Sequence, residues 1–529
     1  MLLEADWVLP ITGPPIGVGA VLVREGSIEA VGPAAQLRAA CSGAGDSVRS
    51  FPGCALLPGF VNVHSHLEYS AFHGFSPSCG FGEWMLRLLL ARRRLTAEDY
   101  AVSAAWGARE CARCGITCIA DTSFEGWTSL RAAAHAGLRG RVYLEVIGLD
   151  DEALPAVMER TEARVAALEG ERTPLIEVGL SPHAPYTVSQ RLYRELARFA
   201  RRNSMWTATH VAESRAEVEL LERGSGSIAR AYKAAELWKG RRWTAPGLSP
   251  AAYVAMAGGL DPSTLAVHCV QLEGPDIATV AASGAAVAHC PRSNARLQCG
   301  IAPVAGLRAA GVRVGLGTDS LASNDSLDMF AEMRAARAAD RRRGSAAPLT
   351  SADVLRMATL DGACAIGMEG LVGSLEAGKR ADVVAVRVHF GAGQGPDMSP
   401  GLATEPQVSH PIEALVETAT AGDVVATVGQ EFPQAMFVYQ AQQLGTGHAA
   451  QIGIQALQAI GFAGPILVTL GDKLIEPDVI SHLGERFLRQ RADMIFISGP
   501  KKQNPSAGRI VVDKAGKILG NVEERDIQL

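Results

Sequence analysis

PGFVNVHSHLEYS, residues 58–70, sets two histidines one residue apart at the end of an apolar, strand-like run. On a β-strand, residues i and i+2 face the same side about 6.6 Å apart along the chain, so His64 and His66 can converge on one ion. Taken alone, the pair also fits two histidines satisfied by ordinary polar neighbours. The segments that follow decide between these readings, and with them the fold.

From residue 56 onward, apolar strand candidates alternate with helical stretches: LLPGFVNVHSH, ITCIADTS, RVYLEVIG, LIEVGLSPH, WTATHVAES, TLAVHCV, AAVAHCPRSN and VRVGLGTDS. Amphipathic segments such as SQRLYRELARFARR lie between most of them. Eight β-then-α units over residues 56–367 predict an α/β fold, a (β/α)8 TIM-like barrel, in which catalytic groups gather at the carboxyl ends of the strands. Five of the eight predicted strands end in histidine, namely His64 with His66, then His183, His210, His268 and His289, and the eighth ends in Asp319. Chance burial scatters polar residues over both barrel ends. Here each closes its own strand, so a shared site is the better reading.

Imidazoles with one carboxylate suit a borderline divalent ion such as zinc, with iron or manganese also accepted, and leave room for a water. Such an ion brings the pKa of bound water to about 7, which makes hydrolysis the expected reaction type. Glu213, three residues past His210, stands beyond its strand and near the ion, where a carboxylate can move a proton from water to the leaving side of a substrate. The ordinary alternative for it is a helix-start glutamate in solvent.

Composition sets the outer limits. The chain has 529 residues, 48% of them hydrophobic, and a net charge of −5, which predicts a globular protein of two or more domains without a nucleic-acid surface. The start, MLLEADWVLPITG, lacks the pattern of a signal peptide, and no apolar run reaches membrane-spanning length. The ten cysteines follow no disulfide framework, so a cytoplasmic protein with reduced thiols is expected. Cys111 and Cys114 form a lone CxxC in a helical segment and read as packing residues. Residues 1–55 and 368–431 carry short strand-like runs, including GAVLVREGSIEAVG and VGSLEAGKRADVVAVRV, and predict one small composite β-sandwich built from both flanks. Only Lys233, Lys239 and Lys379 precede residue 433, while five lysines follow it and no tryptophan lies beyond Trp243. Residues 433–529 therefore read as a separate module.

The strand ends, in PGFVNVHSHLEYS, GITCIADTS, GLSPHAPYTVS, THVAES, AVHCV, HCPRSNARLQCGIAPV and GLGTDSLASNDSLDMFAEMR, resemble the amidohydrolase superfamily over residues 1–431. The resemblance implies that His64, His66, His210 and Asp319 hold one metal, that Glu213 and His268 handle protons around the hydrolytic water, and that Asp319 accepts one. It further implies a substrate contact for His183 and Glu68. Binuclear relatives bridge their metals through a carboxylated lysine, and with no lysine before Lys233 a single ion is expected. HSHLEYS, GEWMLRLL and HCPRSN look most like the aminofutalosine deaminases and their methylthioadenosine or S-adenosylhomocysteine deaminase relatives. The implied reaction adds hydroxide to an amine-bearing ring carbon while Glu213 protonates the adjacent nitrogen, and ammonia leaves. Guanine or cytosine deaminases and triazine chlorohydrolases are the alternatives within this branch. His73 and Phe75 stand where relatives often carry an arginine before the glycine, and Asp325 where proline is common. Trp84 lines the substrate mouth or packs in the core; Arg292 and Asn294 bind substrate or brace their loop; His289 binds a ring or serves structure.

The tail, VYQAQQLGTGHAAQIGIQAL then GPILVTLGDKLIEPDVISHL, reads as a βαβ pattern, a partial Rossmann-like α/β segment. It is similar to sugar-1-phosphate nucleotidyltransferases, the N-acetylglucosamine-1-phosphate uridylyltransferases above all. That likeness implies nucleotide-sugar contacts at Gln443, Gly445, Thr446, Asp472, Gly508 and Glu523. The phosphate loop of that family is missing, so little transferase activity is expected. Three functions therefore enter: a mononuclear aminohydrolase on a small molecule, a nucleotidyltransferase with an accessory barrel, and a non-catalytic barrel that keeps a metal. A homo-oligomer is compatible with all three.

Overall fold

The computed structural model describes residues 1–40, 47–75, 79–234, 244–388, 410–428, 509–512 and 518–522. Two compact units divide the chain, Met1–Phe462 and Ala463–Leu529.

In the first unit the flanking strands are β1 (Leu2–Val8), β2 (Ile16–Arg24), β3 (Ser27–Pro33) and β4 (Val48–Pro58). The barrel strands follow as β5 (Phe60–Ser65), β6 (Ile116–Ser123), β7 (Arg139–Val146), β8 (Ile176–Pro182), β9 (Thr207–Val211), β10 (Thr264–His268), β11 (Ala286–His289) and β12 (Val314–Leu316). All eight expected strands are present, and they pair in sequence order into one parallel sheet from β5 to β12. β5, β6 and β7 are buried along their whole lengths, which is why they read as near-continuous apolar runs without alternation.

A seam between β5 and β12 brings the sheet round on itself. Asp319 N–H donates to the His64 carbonyl at 2.9 Å, and Ser65 and Asp319 form a parallel bridge. The Asn62 side chain donates to Thr318 Oγ1 at 2.7 Å and accepts from Thr318 N–H at 3.0 Å. Gly317 lies in this seam, where a β-carbon would sit 2.8 Å from His64 Cβ. Between the strands, the helices bury one apolar stripe each. Gln190–Arg202, capped by Ser189 Oγ accepting from Leu192 N–H, buries Leu192, Tyr193, Leu196 and Phe199.

β13 (Val383–Arg387) and β14 (Val424–Val428) return to the flank and complete a six-stranded sheet in the order β14-β13-β4-β1-β2-β3. Among the described residues, strands from both flanks share this one sheet. Period-two alternation gives this sheet two faces. Val383 and Ala385 pack with Leu3 and Leu56, whereas Val384 and Val386 join the barrel cluster with Leu57 and Phe60. β4 passes to β5 through Gly59 alone, so the flanking sheet and the first histidine strand are held in a fixed relation. A buried Arg139–Asp382 pair at 3.2 Å adds a polar tie between β7 and the β13 approach.

In the second unit, β15 (Arg509–Val512) and β16 (Ile518–Val522) form an antiparallel hairpin with Arg509 opposite Val522. Gln443, Gly445, Thr446, Asp472, Gly508 and Glu523 lie outside the described residues.

Candidate active site

The carboxyl ends of the barrel strands meet at one point. His64, His66 and Asp319 present ligand atoms within 4.8 Å of one another, as do His64, His210 and His268, and Glu213, His268 and Asp319. Asp319 Oδ1 lies 3.4 Å from His64 Nε2 and 3.6 Å from His66 Nε2. The His66 and His210 rings stack at 5.5 Å between centroids. His210 Nδ1 is 2.8 Å from the His183 carbonyl, which fixes the proton on Nδ1 and turns Nε2 with its lone pair inward.

Backbone strain sits at the same place. Ala212, His268, Cys269 and Asp319 all have φ between +51° and +71°, a region side chains avoid unless their surroundings hold them there. Hydrogen bonds supply that hold: Cys269 N–H to Val211 O at 3.0 Å, Asp319 N–H to His64 O at 2.9 Å and Ala212 N–H to Glu217 Oε1 at 3.0 Å.

Burial sets the electrostatics. It pushes the His64 imidazole down to about 4, against the pull of Asp319, and His66 and His268 down to about 3. All three are therefore neutral imidazoles near pH 7, the form that ligates metal. Both His64 nitrogens are buried without a hydrogen-bond partner, a costly state that an ion relieves. Burial opposes the charge on Asp319 too, yet the surrounding imidazoles, His64 first, hold its carboxyl well below the usual range. Three hydrogen bonds orient that carboxylate, from Ser293 Oγ at 2.5 Å, Ser323 Oγ at 2.8 Å and Ser320 N–H at 2.7 Å. The neutral imidazoles of His64 and His66, His210 with its Nε2 turned inward and the anchored Asp319 carboxylate form a donor set that fits a single divalent ion.

Glu213 stands beside this set, 3.5 Å from His268 Nε2. Burial first, then the Asp319 and Glu217 carboxylates, push its carboxyl well above the ordinary range and so toward the protonated form. Its backbone is fixed by Glu217, whose Oε2 accepts from Glu213 N–H at 2.7 Å. His268 is held in turn by Asn294, with Nδ1 and Oδ1 3.0 Å apart.

The amidohydrolase family matches residues 55–429, and a bacterial imidazolonepropionase-like composite domain matches residues 19–40. The 5-methylthioadenosine/S-adenosylhomocysteine deaminase of Moorella thermoacetica is 34% identical over 395 residues, covering 73% of this chain and 85% of that relative. The chain belongs to the amidohydrolase family. An adenosine deaminase from Xanthomonas campestris, solved with bound zinc, shares 26% identity at a TM-score of 0.66 over 87% of this chain and 98% of its own. Helicobacter pylori aminofutalosine deaminase in complex with methylthio-coformycin has the same fold, with 22% identity and a TM-score of 0.67 over 81% of this chain and 98% of that one. This amidohydrolase is accordingly a hydrolase acting on carbon–nitrogen bonds.

A cavity of about 740 Å³ opens above the metal donors of the amidohydrolase site. His183 and Trp84 line it, and Trp84 Nε1–H also donates to Ala322 O at 2.9 Å. Three other expected contacts lie elsewhere. Glu68 is buried, and its carboxylate is consumed by Ser123 Oγ at 2.6 Å, by the Phe124 and Glu125 N–H groups at 2.8 Å and 3.0 Å, and by Thr128 Oγ1. It organises the turn after β6 and is not among the cavity-lining residues. Arg292 reaches outward to Asp325 and to Ser326 Oγ at 2.9 Å, bracing its loop. Asn294 positions His268 and is not among the cavity-lining residues. His289 is buried off the cavity, its imidazole pushed down to about 4 by burial. Cys111 and Cys114 are buried free thiols, as packing residues should be.

Several lining residues escaped the sequence reading. Glu145 is the last residue but one of β7, an acid near the end of the apolar run RVYLEVIG. Arg92 and Tyr69 also line the cavity, Tyr69 stacking on His66 at 5.4 Å. A lone arginine at a helix end carries no comparable signal. Among the described residues, no helix is long and apolar enough to cross a membrane.

Proposed function

We propose that this amidohydrolase is a mononuclear deaminase that hydrolyses the exocyclic amine of a purine nucleoside, with zinc as its ion. The observation that carries the reading is the convergence of His64, His66, His210 and Asp319, with Glu213 beside them 3.5 Å from His268 Nε2. When bound there, a divalent ion brings the pKa of a water to about 7 and so supplies the nucleophile at neutral pH.

The chain's own residues do the rest. Asp319, ionised and oriented by three hydrogen bonds, accepts the proton that the attacking water gives up. Glu213 donates its proton to the ring nitrogen next to the amine-bearing carbon; the proton held by Asp319 then passes to the departing amine, and Glu213 recovers its own from the hydroxyl that has added to the ring. His268, kept in place by Asn294, steadies the oxygen that adds to the ring. Trp84 and His183 line the cavity in which the heterocycle sits.

The curated relative's name supports an adenosine-like substrate, as does a cavity of a size common for drug-like ligands. Purified protein should release ammonia from 5′-methylthioadenosine or a related 6-aminopurine nucleoside. Activity confined to guanine, cytosine or a chlorotriazine would overturn the substrate class; no hydrolysis of any of them would overturn the enzyme reading. Buried free thiols such as Cys111 and Cys290 support a reducing, cytoplasmic setting. For residues 433–529 the partial nucleotidyltransferase likeness remains a proposal without transfer activity, which pyrophosphate release from UTP and a sugar phosphate would refute.

A further inference from the structure

Glu145 is 4% exposed, lines the cavity and accepts no hydrogen bond from any described residue. His183 Nε2 lies 3.8 Å from its Oε1. A carboxylate buried in this way without a hydrogen-bond donor is costly, and the cavity that it lines together with Arg92 is where a donor can enter.

His183 sharpens the requirement. Thr187 Oγ1 donates to the Ala184 carbonyl at 3.1 Å, so at its 2.7 Å contact with His183 Nδ1 it must accept. The proton of His183 is therefore on Nδ1, and Nε2 offers a lone pair toward Glu145 and the cavity. Two acceptors face one spot. A ligand that satisfies both must bring two donors close together.

The location says which donors. The His183 ring lies 4.9 Å from the His210 ring, and Glu145 lies against His183, so both flank the donor set on the wall of the cavity in which the heterocycle reacts. An ammonium group is disfavoured, because the Arg92 guanidinium lines the same wall, 4.6 Å from the Phe124 ring and 5.2 Å from that of Tyr69. Neighbouring hydroxyls on the sugar of a nucleoside meet both demands.

We infer that Glu145, with His183 Nε2, is the sugar-recognition residue of this site and selects nucleosides that carry a free vicinal diol. The inference rests on the deaminase reading for its ligand class and sets free bases and triazines aside.

Binding of deamination products tests it without turnover. Titration calorimetry of the metal-loaded protein should show inosine bound at least about tenfold tighter than 2′,3′-dideoxyinosine, as a hydrogen bond to a charged group implies. Glu145→Ala should bring the two within about twofold, and Glu145→Gln, which keeps an acceptor, should fall between. A merely structural role would weaken both ligands equally and leave the ratio intact. Equal affinities in the wild type, or an unchanged ratio in Glu145→Ala, would overturn the inference. Ammonia release from adenosine is read alongside: its absence, with the affinity ratio as stated, would sink the deaminase reading and leave the diol contact standing.

Discussion

Glu213 and Asp319 are both buried carboxylates, yet their surroundings drive them in opposite directions. Glu213 faces other acids and is pushed toward its protonated form, whereas Asp319 faces imidazoles and is pushed toward its ionised form. Two groups split in this way make an acid and a base in one cavity. Glu213→Gln should leave one ion bound per chain, measured by elemental analysis, and lower kcat by about 10²–10⁴-fold in an ammonia assay. Glu332 gives a test of stability. Burial pushes its carboxyl up to about 8, so the folded chain keeps a proton that the unfolded chain releases above about 4.5. The folded state then binds more protons than the unfolded one, and stability falls as pH rises across that window. Urea midpoints taken at intervals between pH 5 and 8 should decline, and Glu332→Gln should flatten the decline.

At the level of strands and helices, the site depends on how β5 and β12 close on each other. Gly317 leaves no room for a side chain, since its β-carbon would lie 2.8 Å from His64 Cβ and 2.9 Å from the His64 nitrogen. Gly317→Ala should shift His64, lower the thermal midpoint by an amount matching about 1–3 kcal/mol and weaken ion binding; calorimetry and elemental analysis check both. The barrel strands were legible because each carries a short apolar run closed by a polar residue, and the period survives in one sequence. What Glu68 and Arg292 do was not. Each is a polar residue near a strand end, but its partners, Ser123 and Thr128 in one case and Asp325 and Ser326 in the other, come from segments whose approach only the fold defines. The His183 tautomer likewise depends on Thr187, four residues on, and on the turn that aims its hydroxyl at Ala184.

For the whole molecule, the family match ends at residue 429 and the composite sheet closes with β14 at Val428. Every residue of the donor set lies before that point. A chain ending at residue 431 should therefore keep the ammonia-releasing activity and ion content of the full chain within about twofold; loss of either would show that the remaining residues serve the barrel. The account as a whole stands on the four donors holding an ion that the reaction needs. The most direct measurement is ammonia release from an adenosine-like nucleoside by full-length protein before chelation, after chelation and after return of one equivalent of zinc, with elemental analysis at each stage. One ion per chain, loss of activity with loss of the ion and recovery on its return are the predicted results. Undiminished activity in protein freed of metal would contradict the account.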